Sequence, residues 1–458
     1  MNIIPNWKTQ FNLAACLAAA ALASSAATTA LAAADSFQPA HKLVGIPHDS
    51  GFPDGHDPYN SMGCASDGKI YYVLSADKYD VGARMFCFDP KKNETKFVGD
   101  LTEACGEKGK KSIVQGKSHV NFVESGGKLF FATHLGFYSS IDGKEKMGIP
   151  PAGRTEYPGG HLLSYDLKSG KFEDYGIAPD REGILVFNMD TKHGRAFGLT
   201  WPSGIFFRFN YAKREMRSFG KTCALGEAGK GADYRTVCRS IAVNPEDGSA
   251  WYSTSEGNIF HYRADTDSVE QVKGDNLKKD YFGIYDPTSP GHMGYNWRQT
   301  FFRAADQMIY GVHGNSGYLF RFDPKQERIE VLDRITSEPS KASGMFDQFS
   351  YGYLGFCVAH DGKTVYYLTG GPIYENGRRV AGKTSTAMGE AKGLENLHLI
   401  TYDIPKREYR DHGAIFYPNG QRPLYVNSLA IGLDGTAYFL GRITENGHTR
   451  SDLISVKP

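Results

Sequence analysis

The chain has 458 residues, 40% hydrophobic and 13% aromatic, with 27 Tyr, 28 Phe and a formal net charge of +1. That length and apolar content suit a large globular β protein. Near-neutrality without a long basic run argues against nucleic acid and against an anionic membrane as partners.

In chain order, residues 1–34 come first and differ from everything after them. Lys8 precedes the short apolar stretch "FNLAACLAAAALA", and small residues follow up to "TALAAADS". A weakly basic start, a short apolar stretch and a small-residue cleavage site read as a secretory signal, with cleavage expected after Ala32 or Ala34. Residues 35–458 are then a single domain, secreted or periplasmic and monomeric. No later run approaches the ~20 apolar residues of a bilayer-spanning helix. Cys64, Cys87, Cys105, Cys223, Cys238 and Cys357 remain, too few for a disulfide-built scaffold of this size.

Beyond the signal a hairpin pattern recurs. "SMGCASDGKIYYVLS" turns at Asp67 and Gly68, and "SHVNFVESGGKLFFATH" turns at Gly126 and Gly127. "ILVFNMDTKHGRAFGLT" turns near His193 and Gly194, and "CRSIAVNPEDGSAWYST" near Asp247. "WRQTFFRAADQMIYGVH", "GFCVAHDGKTVYYLT" and "NSLAIGLDGTAYFLG" turn about Asp306, Gly362 and Asp434. Successive turn centres lie 54–72 residues apart, which is a repeat. A second kind of hairpin separates them, an aromatic strand running into a polar turn, as in "HLLSYDLKSGKFEDYG" and "HLITYDIPKREYRDHG". The last repeat has only "SDLISVKP" after its first hairpin, one strand short, while "HKLVGIP" at 41–47 is a spare strand at the other end. The expectation is an all-β, seven-bladed β-propeller with four antiparallel strands per blade, its ring closed by the N- and C-terminal strands. An irregular β-sandwich array is the alternative, and it leaves the spare strand unexplained.

Positions mirrored about each first turn should meet at one mouth of the ring. This rule names Ser61 and Ser75, His119 and His134, Leu185 and Thr200 beside Trp201, Arg239 near Ser255, Arg298 and His313, then Tyr353, Gly370, Asn427 and Gly441. The inventory contains no carboxylate, which disfavours a two-carboxylate glycosidase or a calcium-dependent lactonase. Imidazole, guanidinium and phenol suit an anionic substrate and proton transfer near neutral pH. β-Elimination across a uronic acid uses that kit: a cation neutralises the carboxylate, a base removes the C5 proton, and an acid protonates the leaving oxygen. Each residue also has a purely structural reading. The histidines could bond loop carbonyls, the arginines could bridge blades, and Trp201 could pack.

The stretches "GKSHVNFVESGGKLFFATHLGFYSS", "YPGGHLLSYDLKSGKFEDYG", "GLTWPSGIFFRF" and "PGHMGYNWRQ" resemble the seven-bladed propeller polysaccharide lyases, ulvan lyases and rhamnosyl-glucuronate lyases above all, from about residue 60 onward. The resemblance implies cleavage beside glucuronate or iduronate in a rhamnose-linked, ulvan-like anionic polysaccharide or oligosaccharide, leaving a 4,5-unsaturated sugar. It implies that His119 and His134 match the family's histidine pair. The chain departs where the family leads one to expect Tyr and Arg on the next hairpin, since Leu185 and Thr200 stand there. The acid and carboxylate-clamp roles then pass to Tyr234, Arg235 and Arg239 in "DYRTVCRS", with Trp201, Arg298, His313 and Asn315 along the substrate. No cofactor is required for this chemistry, although a structural divalent cation, zinc or calcium, is allowed. Cys223 and Cys238 are expected to form a disulfide, a zinc site completed by His292 being the other reading. A non-catalytic glycan-binding propeller and a metal-dependent hydrolase or lactonase stay open as alternatives.

Overall fold

The computed structural model describes residues 42–141, 143–279, 293–313, 316–343, 355–372, 374–375, 378–379, 395–423 and 426–458. The expected signal segment, Asn315, Tyr353 and the cation-site candidate His292 lie outside them.

Seven sheets follow one another around a ring, and each of the first hairpins read from the sequence opens one blade. The first blade is Met62–Cys64, Ile70–Leu74, Arg84–Asp89 and Glu94–Asp100. The second is Val123–Ser125, Lys128–Ala132, His161–Asp166 and Phe172–Ile177, with an added hairpin, Tyr138–Ile141 and Lys144–Met147, between its second and third strands. The third begins at Gly183–Asp190 and Arg195–Trp201, the fourth at Ala242–Asn244 and Ser249–Ser253, and the fifth at Trp297–Arg303 and Met308–His313. Thr364–Pro372 and Glu395–Asp403 are the central strands of the sixth, Ala437–Glu445 and His448–Val456 those of the seventh. Local chemistry sets these reversals: Gly126 and Gly127 both adopt positive φ, 58° and 75°, as the two central residues of a tight hairpin turn require.

The ring closes as expected, with one refinement. Ile46–His48 pairs antiparallel with His448–Val456 and completes the seventh blade. Lys42–Val44, which the sequence reading placed in that same strand, instead runs parallel to Glu408–Phe416 as a fifth strand of the sixth blade. Gly45 is the crossing point. A Cβ there would lie 3.1 Å from methyl groups of both Ile415 and Ile454, one on each blade. The N-terminal strand therefore ties two blades together and covers two edges at once.

Between blades the faces are aromatic. Phe206 and Tyr252 meet tilted at 4.6 Å, Phe130 and Tyr211 edge-to-face at 4.7 Å, and Phe301 and Phe356 stack at 5.6 Å. Trp297, Tyr262, Phe131 and Phe320 are buried. Each such side chain stabilises the fold by about 1.5–3 kcal/mol through burial, so the high aromatic content is explained by seven wedge-shaped interfaces. Polar bridges knit the inner ends: His119 Nδ1 lies 2.9 Å from the Leu185 carbonyl, Asn188 Nδ2 donates to the Ile241 carbonyl at 2.7 Å, and Asn427 Nδ2 donates to the Pro58 carbonyl at 2.8 Å.

Candidate active site at the channel end

The mirror rule holds within the tight hairpins and slips near their open ends. In the second blade Val123 faces Phe130 and Ser125 faces Lys128. That register extrapolates to His119 opposite His134, but the residue bridged to His134 is Lys117, with Lys117 N donating to the His134 carbonyl at 3.0 Å and His134 N to the Lys117 carbonyl at 2.8 Å. In the third and fifth blades a β-bulge falls at the same place. Ile184 pairs with Thr200 and Trp297 with His313, which leaves Leu185 and Arg298 as the extra residues.

The two histidines nevertheless come together, their rings 6.1 Å apart and tilted. Tyr59 lies 5.0 Å from His119, while His134 lies 5.6 Å from Trp201 and 6.3 Å from Tyr138. Gly183 makes room for this arrangement, since a Cβ there would lie 2.8 Å from the His134 ring. His119 and His134 are only 3% and 1% exposed, so the open rim expected from the sequence is instead an enclosed cluster. Their Nδ1 atoms face carbonyls, those of Leu185 and Leu135, each at 2.9 Å. A carbonyl can only accept, so both Nδ1 atoms carry the proton and both Nε2 atoms carry the lone pair.

The charges that act most on the two imidazoles are cationic. Burial first, then the charges of Lys117 and Arg239, hold both imidazoles well below their ordinary pKa, and Arg298 adds to the effect on His119. Both rings are therefore neutral at pH 7. Lys117 is 4% exposed and its amine is lowered to about 7, by burial first, against the opposing pull of Glu145 and Asp57. Its Nζ sits 3.9 Å from the centre of the Tyr59 ring and 4.6 Å from that of Tyr138. Tyr59 and Tyr138, with Asp57, Ser75, Asp77, Phe137 and Glu145, line a pocket of about 310 Å³ that opens to solvent.

The carboxylate-free mouth expected from the sequence needs correction. Buried Glu227 accepts from Trp201 Nε1 at 2.8 Å and Val237 N at 3.0 Å, and pairs with Arg239 at 2.6 Å. Asp57 and Glu145 stand close enough to Lys117 to oppose its loss of charge. All three come from connecting segments, which a rule built on hairpin ends does not sample.

The other expected residues fall as follows. Arg239 also donates to the Val237 carbonyl at 2.6 Å. Arg235 pairs with Glu256 at 2.6 Å, and Tyr234 is buried with Lys144 Nζ 3.6 Å over its ring. Trp201 is 3% exposed and packs against His134 and Tyr138, which is the packing role and not that of an open sugar platform. Arg298 NH1 approaches Met293 Sδ at 3.1 Å, and His313 Nδ1 lies 3.0 Å from Ser316 Oγ. Cys223 and Cys238 are free thiols, contrary to the expected disulfide. Cys223 Sγ faces Ser255 Oγ and Glu256, whereas Cys238 Sγ faces Ser253 Oγ and the Ser240 carbonyl. Burial first lifts the Cys223 thiol to about 12, so it is protonated and unreactive at neutral pH. Among the described residues no group of His, Cys, Asp or Glu side chains is arranged to hold a metal ion.

Lys117, Tyr59 and Tyr138 were missed by the sequence reading. The signal was present for Lys117, two residues before His119 in "GKSH", while Tyr59 and Tyr138 reach the cluster from connections outside the hairpin pattern.

No protein-family model and no curated protein sequence matches the chain. Among solved structures, a chain in the crystal structure of a nidogen/laminin complex matches over 79% of this chain and 97% of its own length, at 13% identity and a TM-score of 0.41. Likeness at that level carries no inference about ligand or activity. The propeller stands on its own blade topology, and the resemblance to lyases rests on its motifs.

Proposed function

We propose that this propeller is a polysaccharide lyase that cleaves a uronate-containing, ulvan-like glycan by β-elimination. The observation that carries the reading is the His119–His134 pair. Two neutral imidazoles have their lone pairs on Nε2, 6.1 Å between ring centres, in the field of Lys117, Arg239 and Arg298. Neutral imidazole is the form that accepts a proton, and nearby cations lower the cost of charge developing on a substrate carboxylate. In the proposed reaction one Nε2 takes the C5 proton of the uronate. The C4–O bond breaks as the C4=C5 double bond forms, and a tyrosine phenol delivers a proton to the departing oxygen, because neither neutral imidazole carries one on Nε2. Tyr59 and Tyr138 supply phenols against the two rings, in addition to the Tyr234 expected from the sequence.

A second reading, a propeller that binds glycan without cleaving it, is favoured by one observation: both imidazoles are nearly fully buried, and Arg239 and Arg235 already pair with Glu227 and Glu256.

The test is a screen of ulvan, gum arabic, pectin and glycosaminoglycans for the ultraviolet absorbance of the conjugated product. The expected result is a chromophore with at least one polymer, with kcat reduced about 10²–10⁴-fold in His119→Gln or His134→Gln. Retention of polymer without any chromophore selects the binding reading, and wild-type kcat in either variant removes that residue from proton transfer.

A further inference from the structure

The cations at the channel end are not equivalent. Arg239 is held by Glu227 at 2.6 Å, Arg235 by Glu256 at 2.6 Å, and Arg298 has its NH1 on Met293 Sδ. Lys117 differs. Among the described residues its Nζ has no hydrogen bond and no carboxylate within ion-pair distance, and the faces of Tyr59 and Tyr138 hold it in place. Its charge is the first-ranked charge acting on both His119 and His134. Its backbone is bonded to that of His134 in both directions, which fixes the two main chains against each other.

The surroundings also ask for a polar occupant. Ser75 Oγ, Ser118 Oγ and His134 Nε2 are buried without a hydrogen-bond partner, and Ser75 lines the same pocket as Tyr59 and Tyr138, the two rings that Lys117 Nζ lies over. Buried polar atoms of this kind are ordinarily satisfied, by water or by ligand. At about 310 Å³ the pocket is at the small end of the range for ligand sites and suits one sugar ring rather than a length of polymer.

We propose that Lys117 is the anion-binding residue of this site, meeting the carboxylate or sulfate ester of a sugar that enters between Tyr59 and Tyr138. The assignment rests on the reading of this channel end as a glycan site, and it moves the clamp from Arg239 to a residue two positions before His119. Glu145 and Asp57 at the pocket wall are the groups against which the incoming anion competes for Lys117, and Asp77 adds a third carboxylate to that wall. The two tyrosine faces hold the amine, and an incoming anion, like Glu145 and Asp57, favours its charged form.

The experiment is calorimetric titration of the full chain with glucuronate, glucose 6-sulfate and glucose, on wild type, Lys117→Met, Lys117→Arg and Glu145→Gln. Wild type should bind at least one anionic sugar in preference to glucose, and which one identifies the substituent. Lys117→Met should weaken that binding tenfold or more, Lys117→Arg should retain part of it, and Glu145→Gln should tighten it severalfold. Absence of binding to either anionic sugar, or wild-type affinity in Lys117→Met, overturns the proposal. If Lys117→Met does not fold, an unchanged affinity in Glu145→Gln, a rim substitution, overturns it instead. The lyase reading fails separately: Lys117-dependent binding with no chromophore from any polymer sinks the lyase and leaves the anion site, whereas a chromophore with unchanged KM in Lys117→Met does the reverse.

Discussion

Glu227 gives the sharpest prediction about the architecture of the candidate site. Its carboxylate is buried and accepts from three donors: Trp201 Nε1 on one oxygen, and Val237 N with Arg239 NH2 on the other. In Glu227→Gln the amide has one accepting oxygen. Turned toward Arg239 and Val237 it presents NH2 to the Trp201 donor; turned the other way it presents NH2 to a buried guanidinium. Arg239 is 5% exposed, so removing the charge opposite it leaves a cation in a poorly solvated place. Breaking a buried pair from one side costs about 3–5 kcal/mol. At about 2 °C per kcal/mol for a domain of this size, the thermal midpoint should fall by about 6–10 °C. Arg239→Met should cost less, because Glu227 keeps two donors. The double variant Glu227→Gln/Arg239→Met should then recover about 1–3 kcal/mol relative to the sum of the singles. Urea unfolding of the four proteins measures the cycle. Additivity within about 0.5 kcal/mol would refute the claim that Glu227 is the counter-charge of Arg239.

Other expectations follow from equally specific contacts. His161 Nδ1 lies 2.9 Å from Asp174 and Nε2 lies 3.1 Å from Glu107. Although burial acts to lower its pKa, bonds to Asp174, Cys105 and Glu107 lift it to about 11. The folded value lies above the unfolded one, so this stabilisation is complete below about pH 6.5 and fades as pH rises toward 11. Urea midpoints at pH 6, 8 and 10 should fall more steeply for wild type than for His161→Gln, and parallel profiles would contradict the assignment. A Cβ on Gly136 would lie 1.9 Å from the Ala76 carbonyl oxygen, where the first and second blades touch. Gly136→Ala should therefore cost about 1–3 kcal/mol or more, whereas an unchanged melting temperature would show that this approach is loose. Alkylation of the denatured, unreduced protein should label Cys223 and Cys238 as free thiols, and a peptide linking the two in the mass spectrum would restore the disulfide.

The ring was legible because its signals are local and repeated. A turn such as Gly126–Gly127 fixes its own hairpin, and seven such turns with a strand missing at one end and spare at the other leave little choice of architecture. The division of residues 42–48 between two blades was not legible, because it depends on whether Gly45 can pass between Ile415 and Ile454. The site was readable only in part, for a related reason. Mirror positions predict neighbours while the ladder is regular; His119 and His134 end close together even though the register has slipped to Lys117 by that point. The bulges at Leu185 and Arg298 add one residue without any mark in composition, and they break the correspondence there. Glu227, Tyr59 and Tyr138 arrive from connections whose paths only the folded chain determines.

Unsatisfied buried atoms do not by themselves separate a site from a structural oddity, and the sixth blade shows why. His398 occupies the place in its blade that His161 occupies in the second, each with Nδ1 on an aspartate thirteen residues later, Asp411 and Asp174. His161 completes its bonding through Nε2 to Glu107, whereas His398 Nε2 is buried without a partner, as is Oγ1 of Thr369, the residue paired with it across the ladder. Each such atom costs about 1–3 kcal/mol, yet there Asp411 already bonds His398 Nδ1. At the second blade the unsatisfied His134 Nε2 has the Lys117 amine for a neighbour, and among the described residues that amine has no anion within bonding distance. His134 Nε2 lacks a donor, the amine lacks an anion among the described residues, and the buried hydroxyls lack either partner. The proposed anionic sugar would meet these needs through different atoms, hydroxyls donating to Nε2 and an anionic group accepting from Lys117, and the clustering of such needs distinguishes this end of the channel from the sixth blade.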